Sequence, residues 1–193
     1  VYTRVYATTE NIIIKSISFE HSYFFDCKLR KVRFENCSFV NCSFNNCDFR
    51  RSSFINCDFR YSNFRNTIVD VDIFKSSPRE HNLLLKFATS LRMNYRELGQ
   101  KNNEDIATQY EIKANKAHLY DSWKSKDLYY RKKYQGLERF KKFIEWIYFE
   151  LNDLIWGNGE SLIRLVLSSV FLIILLSTIV TINIATNFHF NQI

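Results

Sequence analysis

With 193 residues, 46% hydrophobic and 24% charged, the chain has room for one modest soluble domain beside a membrane anchor, not for two large cores. Its formal net charge of +7 excludes an acidic nucleic-acid mimic and makes phosphate or anionic lipid the electrostatic match. Five cysteines with no C-x-x-C and no Cys/His pair at ligand spacing argue against a zinc site.

Val1–Ile13 reads as strand, around Val5, Tyr6 and Ile12, and is expected to cap one end of a regular coil. From Ile14 a large residue returns at every fifth position as far as Phe74: Ile14, Phe19, Phe24, Leu29, Phe34, Phe39, Phe44, Phe49, Phe54, Phe59, Phe64, Val69 and Phe74. A second, mostly small ladder precedes it by two residues: Ser22, Cys27, Cys37, Cys42, Cys47, Ser52, Cys57, Ser62 and Thr67. Five is neither the strand period of 2 nor the helix period of 3.6. A chain that turns by a quarter every five residues would keep both ladders inside a coil over residues 14–76.

The stretches C-S-F-V-N, C-S-F-N-N, C-D-F-R-R, S-S-F-I-N, C-D-F-R-Y and S-N-F-R-N, Cys37 to Asn66, resemble tandem pentapeptide repeats. The resemblance implies a right-handed quadrilateral β-helix, and thirteen repeats at four per turn make roughly three turns. The match is closest over residues 22–66 and weakens where Ile17 and Asp72 take the small position. All five cysteines fall on the inward ladder, where packing explains them. Asn36-Cys-Ser38 and Asn41-Cys-Ser43 match the glycosylation sequon but arise from the repeat itself.

Residues 77–156 read as helical. Ser77-Pro78-Arg79-Glu80 predicts a capped helix start, with Ser77 as cap, Pro78 at the first helical position and Glu80 completing a capping box. Leu84, Phe87, Ala88, Leu91, Tyr95 and Leu98 form its stripe, which Gly99 ends. A second helix carries Ile106, Tyr110, Ala114, Ala117 and Tyr120 and is expected to run on through Trp123 to Tyr134. A third, Leu137–Trp156, has an apolar face of Leu137, Phe140, Ile144, Ile147, Tyr148, Leu151 and Ile155. Lys141, Lys142, Trp146, Trp156 and Arg164 suit the headgroup layer beside a membrane; packing on the preceding hairpin is the equal alternative for the apolar face.

Gly157 and Gly159 mark a joint at residues 157–161, where the chain changes direction. Residues 162–185 follow as a transmembrane helix, uncharged from Leu165 to Ile182 and long enough for a bilayer core of about 30 Å. Residues 186–193 form a short extracytoplasmic tail. Lys and Arg crowd before this span and are absent after it, which predicts a single-pass protein of the inner (plasma) membrane with its N-terminal region cytoplasmic.

Trp156-Gly157-Asn158-Gly159-Glu160-Ser161 with Arg164 supports a narrower resemblance, to bacterial pentapeptide-repeat proteins coupled to a two-span, potassium-channel-like pore. Neither a second span nor a T-x-G-Y-G filter occurs within the 193 residues, so this resemblance covers the sensor half of that arrangement.

No glycine-rich phosphate loop is present, and His21, His81, His118 and His189 are isolated in sequence. No enzymatic activity and no cofactor are expected. The sequence predicts a membrane-anchored interaction or regulatory module, plausible as a channel sensor, with an anchored protein-binding scaffold without transport as the alternative. Its expected partners are membrane lipid and a protein or a second copy met through the helical region and span. Nucleic acid is not expected, because acidic residues are interspersed and most of the excess charge lies beyond residue 74.

Overall fold

The computed structural model describes residues 3–159 and 161–190, with the side chains of the last helix as far as Ile182. The start of the expected cap (1–2), Glu160 of the joint and the end of the tail (191–193) lie outside the described residues, as do the side chains of Asn183 and His189. The chain forms two compact units, divided between Asp121 and Ser122.

The first unit begins with a β-solenoid of about three turns. Its strands are β1 (Thr3–Val5), β2 (Thr8–Glu10), β3 (Ile13–Lys15), β4 (Ser22–Phe25), β5 (Lys28–Arg30), β6 (Arg33–Glu35), β7 (Ser43–Asn45), β8 (Ser53–Ile55) and β9 (Asn63–Arg65). All pair in parallel, and the partners lie one coil apart: Phe24 on Phe44 on Phe64, Ile14 on Phe34 on Phe54, Thr9 on Leu29. Three sides carry sheets β1-β4-β7-β9, β2-β5 and β3-β6-β8. The fourth is held by single bridges from Ser18 to Ser38 to Asp58. A twenty-residue coil of four five-residue sides satisfies the period that neither strand nor helix could.

The described part of the expected cap is itself coiled: β1 and β2 lie on β4 and β5. The ladder thus extends below Ile14 to Thr9, then slips by one residue, since Val5 and not Arg4 faces Phe24.

The corners are left-handed although residues 1–76 contain no glycine. Every fifth residue from Asn11 to Asn66 has a left-handed backbone, with φ between +46° and +63°. Asn and Asp tolerate this region better than other residues with a Cβ, and they hold seven of the twelve corners: Asn11, Asp26, Asn36, Asn41, Asn46, Asn56 and Asn66. Their amides also ladder between coils: Asn66 Nδ2 donates to Asn46 Oδ1 at 3.0 Å, and Asn46 Nδ2 donates to Asp26.

Inside, phenylalanines stack one coil apart, with ring centroids at 4.8 Å (Phe24–Phe44), 4.9 Å (Phe44–Phe64) and 5.1 Å (Phe34–Phe54). Rings on adjoining sides meet edge to face, as Phe34 and Phe39 do at 5.4 Å. Such pairs contribute roughly 0.5–1.5 kcal/mol beyond area burial.

The small ladder has a polar task as well as a steric one. Side chains along it donate to the carbonyl of the large residue one coil below, Cys42 to Phe19 (3.0 Å), Ser52 to Leu29 (2.6 Å), Ser62 to Phe39 (2.6 Å) and Cys57 to Phe34 (3.6 Å), whereas Thr67 donates to Arg65 O and accepts from Cys47 N–H. Ser52 also accepts from Val32 N–H at 3.0 Å. A thiol or hydroxyl serves equally, which explains their interchange. All five cysteines are free and buried, and burial pushes the Cys42 and Cys57 thiols up to about 11.

A 3-10 helix, Val71–Ser76, completes the last coil, and Ser76 takes the ladder position by donating to Phe54 O at 2.9 Å. Helix α1 (His81–Glu97) then lies across the end of the coil. Phe87 meets Phe59, Phe64 and Phe74 at ring distances of 5.7–5.8 Å. Asn94, 1% exposed, accepts from Thr67 N–H and donates to Thr67 C=O, both at 2.7 Å. Its amide therefore replaces a peptide of the coil that would come next. Ser90 accepts from Phe64 N–H at 2.8 Å.

Three helical expectations are corrected. The capping box does not form: Ser77 closes the 3-10 helix instead, its N–H donating to Phe74 O at 3.2 Å. The helix starts at His81 behind Glu80, which makes no side-chain cap bond. In α1 the buried stripe is Leu83, Phe87, Ala88, Leu91, Asn94 and Tyr95; Leu84 and Leu98 are only half-buried. Gly99 (φ +68°) does end the helix. In α2 (Lys101–Lys124) the buried residues include Glu104, Ala107, Ala114 and Leu119, whereas Ile106, Tyr110 and Tyr120 are exposed. Ion pairs Arg96–Glu104 and Arg92–Glu111 between the helices turn that face. Tyr110 still lays its ring on Phe74 at 4.1 Å.

In the second unit, the expected continuation to Tyr134 is broken at residues 125–127. Asp127 accepts from Tyr129 N–H at 2.7 Å and starts a new short helix, α3 (Leu128–Lys133). Helices α4 (Gly136–Trp156) and α5 (Leu162–Phe190) complete the chain's described elements.

Candidate membrane anchor, joint and coil surface

Within α5, Leu162–Ile182 is 21 residues long with a mean hydropathy of 2.7 and no part of it buried. At 1.5 Å per residue that is about 30 Å, the thickness of a hydrocarbon core. A helix from the middle of a soluble domain would be covered, whereas this one exposes aliphatic side chains all round. Ser169 donates to Leu165 O (2.8 Å), Thr178 to Leu175 O (2.7 Å) and Thr181 to Ser177 O (2.8 Å). These hydroxyls are satisfied by their own helix. Ser168 bonds both Leu165 O and Ile155 O at 2.9 Å, tying α5 to the end of α4.

The joint between α4 and α5 is built from left-handed residues: Gly157 (φ +63°), Asn158 (φ +55°) and Gly159 (φ +94°). Gly157 N–H caps α4 through Asn152 O and Asp153 O. A Cβ on Gly157 would lie 3.1 Å from Ser161 Cβ and 3.5 Å from Arg164 Cδ, while none of the described atoms lies within 4 Å of one at Gly159. Arg164 clasps the turn, donating from its guanidinium to Asp153 O at 3.1 Å and standing 3.4 Å from the carboxylate. Beside this clasp a cavity of about 980 Å³ opens between Leu151, Leu154 and Ile155 of α4 and Leu165, Ser168 and Phe171 of α5.

Gly157→Val is expected to strain the joint by both its φ and its contact, whereas Gly159→Val meets only the φ term, roughly 1–3 kcal/mol per residue so held. Distances between spin labels on α4 and α5 should broaden or shift more for the first substitution than for the second.

The residues expected at the headgroup layer divide into two groups. Lys141 and Trp156 are exposed. Trp146 instead packs with Trp123 (5.3 Å), which also meets Phe143 (4.9 Å). Lys142 pairs with Glu145 at 2.5 Å and lies over the Tyr134 ring, and Arg164 serves the joint. The apolar face of α4 is uncovered, with Leu137, Phe140, Tyr148 and Leu151 all more than half exposed.

On the coil, the outward arginines are largely neutralised in place. Asp48 takes Arg30 and Arg50, each at 2.6 Å, Asp58 takes Arg60 at 2.7 Å, and Glu35 takes Lys15 and Arg33. Burial works against the charge of Asp48, but the hydrogen bonds from Arg50 and Arg30 prevail and hold its carboxyl down at about 2. Among the described residues no three His, Cys, Asp or Glu side chains gather where a metal ion could sit.

The corner asparagines and Asn94 were not anticipated from sequence. The first have a signal, Asn recurring five apart at 36, 41 and 46 and again at 56 and 66. Asn94 has none beyond being a polar residue in an apolar stripe.

The family model described as the SV2A/B/C luminal domain matches residues 3–82, the coil and its link to α1. No curated protein matches the chain.

Proposed function

We propose that this chain is a non-enzymatic, membrane-anchored pentapeptide-repeat protein whose cytoplasmic coil is an interaction or regulatory module for events at the membrane. The carrying observation is that the chain has both a regular coil and an apolar helix none of which is buried over a membrane's thickness. Coupling is supported by the joint, where Gly157 and Arg164 fix how α4 leads into the span. In this reading the chain is the sensor part of an ion-channel-like protein. The anchored scaffold without transport is supported by one specific observation: the hydroxyls of Ser168, Ser169, Thr178 and Thr181 all donate to helix carbonyls, so these donors are used within the fold.

The inner-membrane, cytoplasm-facing arrangement is supported by the basic residues that precede the span and by five unpaired buried cysteines, which suit a reducing compartment. The family name SV2A/B/C luminal domain names the other side for that domain. The two arrangements differ in outcome. Expressed in glycosylating membranes, the full chain should resist alkaline extraction, keep Asn36 and Asn41 unmodified, and lose its coil to protease added from the cytoplasmic side. Release by alkaline extraction would overturn the anchor; glycan at Asn36 or Asn41 would reverse the orientation. Conductance in liposomes separates sensor-and-pore from scaffold.

A further inference from the structure

Helix α4 is apolar on more than one side, and only one of these is used by its neighbours. Phe143 and Trp146 turn toward Trp123, with ring centroids at 4.9 and 5.3 Å. Leu137, Phe140, Ile144, Tyr148, Leu151 and Ile155, spaced by three or four residues, form a separate stripe and are each 45–88% exposed. At 1.5 Å per residue the stripe is about 27 Å long. The charged residues Glu138, Lys142, Glu145 and Asp153 lie off it.

We infer that lipid covers this stripe, so that α4 lies along the membrane surface with its apolar side among the acyl chains. This rests on the same reading of α5 as a span, and adds what the chain meets before it enters the bilayer. A helix with one apolar and one charged face settles in this way about 5–10 Å into the headgroup boundary.

The geometry of the joint selects lipid as the occupant. Leu151 and Ile155, with Leu154 beside them, form one wall of the cavity of about 980 Å³ whose other wall is Leu165, Ser168 and Phe171 of α5. The stripe is therefore turned to the side along which α5 leaves the joint, and that side is the bilayer when α5 spans it. Gly157 N–H on Asn152 O and Asp153 O, Ser168 on Ile155 O and Arg164 on Asp153 O tie the end of α4 to the first turns of α5. A protein partner seated in this crook would have to stand where lipid surrounds the start of the span. Lys141, exposed, and Tyr148 stand at the rim of the stripe, and each joins an apolar stem or ring to a polar tip suited to headgroups. The cavity in the crook is then room for acyl chains.

Spin labels on the full chain in liposomes test this. Phe140→Cys, Ile144→Cys and Leu151→Cys place labels on the stripe, Glu138→Cys and Lys142→Cys on the charged side, and Ile173→Cys in α5. The five native cysteines are buried, and the unsubstituted chain sets the background. Power saturation compares the access of oxygen, which concentrates in lipid, with that of a water-soluble nickel chelate. Oxygen should exceed the chelate at the three stripe positions and at Ile173, and the order should reverse at Glu138 and Lys142. Stripe labels as open to the chelate as Glu138→Cys would put the face in water and overturn the inference. Stripe labels closed to both reagents would put another protein segment there and overturn it equally. Ile173→Cys separates the two readings: lipid at Ile173 with water or protein at the stripe removes the surface helix alone, whereas water at Ile173 removes the anchor with it.

Discussion

Phe49→Asp is expected to abolish the folded coil. Phe49 is 1% exposed, and its ring meets those of Phe34, Phe44 and Phe54 at 5.5–6.3 Å. Truncating a buried phenylalanine alone costs about 3–5 kcal/mol, and a carboxylate in its place adds an unpaired charge with no cation inside the coil to meet it. Whole domains are stable by only about 5–15 kcal/mol. A solenoid also distributes stability between neighbours, so damage at a middle coil removes the support of those on either side. Circular dichroism of the variant should lose the strand signal while α5 keeps a helical one in detergent. A wild-type melting transition would mean that Phe49 does not face the core. Phe49→Leu, which keeps the volume nearly filled, should lose far less and separates shape from charge.

The inward ladders were fully legible because one rule recurs thirteen times, and each recurrence confirms the others. Phe24, Leu29, Phe34, Phe39, Phe44, Phe49, Phe54, Phe59 and Phe64 all lie inside, with Cys37, Cys42, Cys47 and Cys57. The helical region was less legible because it is not periodic in the same sense. Its buried faces are chosen by neighbours that sequence spacing does not reveal. Glu104 is buried and paired with Arg96 while Ile106 is exposed, and Ser77 closes the 3-10 helix before α1 instead of opening α1.

The membrane-side residues show the same limit. Lys142, Trp146 and Arg164 have the composition of a headgroup layer, yet each has a nearer partner in Glu145, Trp123 or Asp153. Gly157 and Gly159 were legible because glycine is the residue that accepts a positive φ at no steric penalty. Only the contact distances distinguish them, since Gly157 has Ser161 and Arg164 against it.

Asn94→Ala tests whether the coil needs its last rung completed by hydrogen bonds or merely covered. Asn94 supplies both an acceptor for Thr67 N–H and a donor for Thr67 C=O, and Thr67 is fully buried. Removing the amide leaves two backbone groups without partners in a place shielded from water. Each such group costs about 1–3 kcal/mol, so the expected loss is roughly 2–5 kcal/mol. Ser90→Ala removes only the acceptor for Phe64 N–H and should cost about half as much. Met93, half exposed beside them, sets the baseline, since its replacement by alanine should stay within about 0.5 kcal/mol. Denaturant midpoints give the order, and amide exchange at Thr67 gives the location, because its protection should fall before that of Cys47 one coil below. If Asn94→Ala cost no more than Met93→Ala, the cap would rest on Phe87 alone. The predicted order instead makes α1 the chemical end of the sheet: a helix that finishes four-sided strands by presenting one side-chain amide in place of the next peptide.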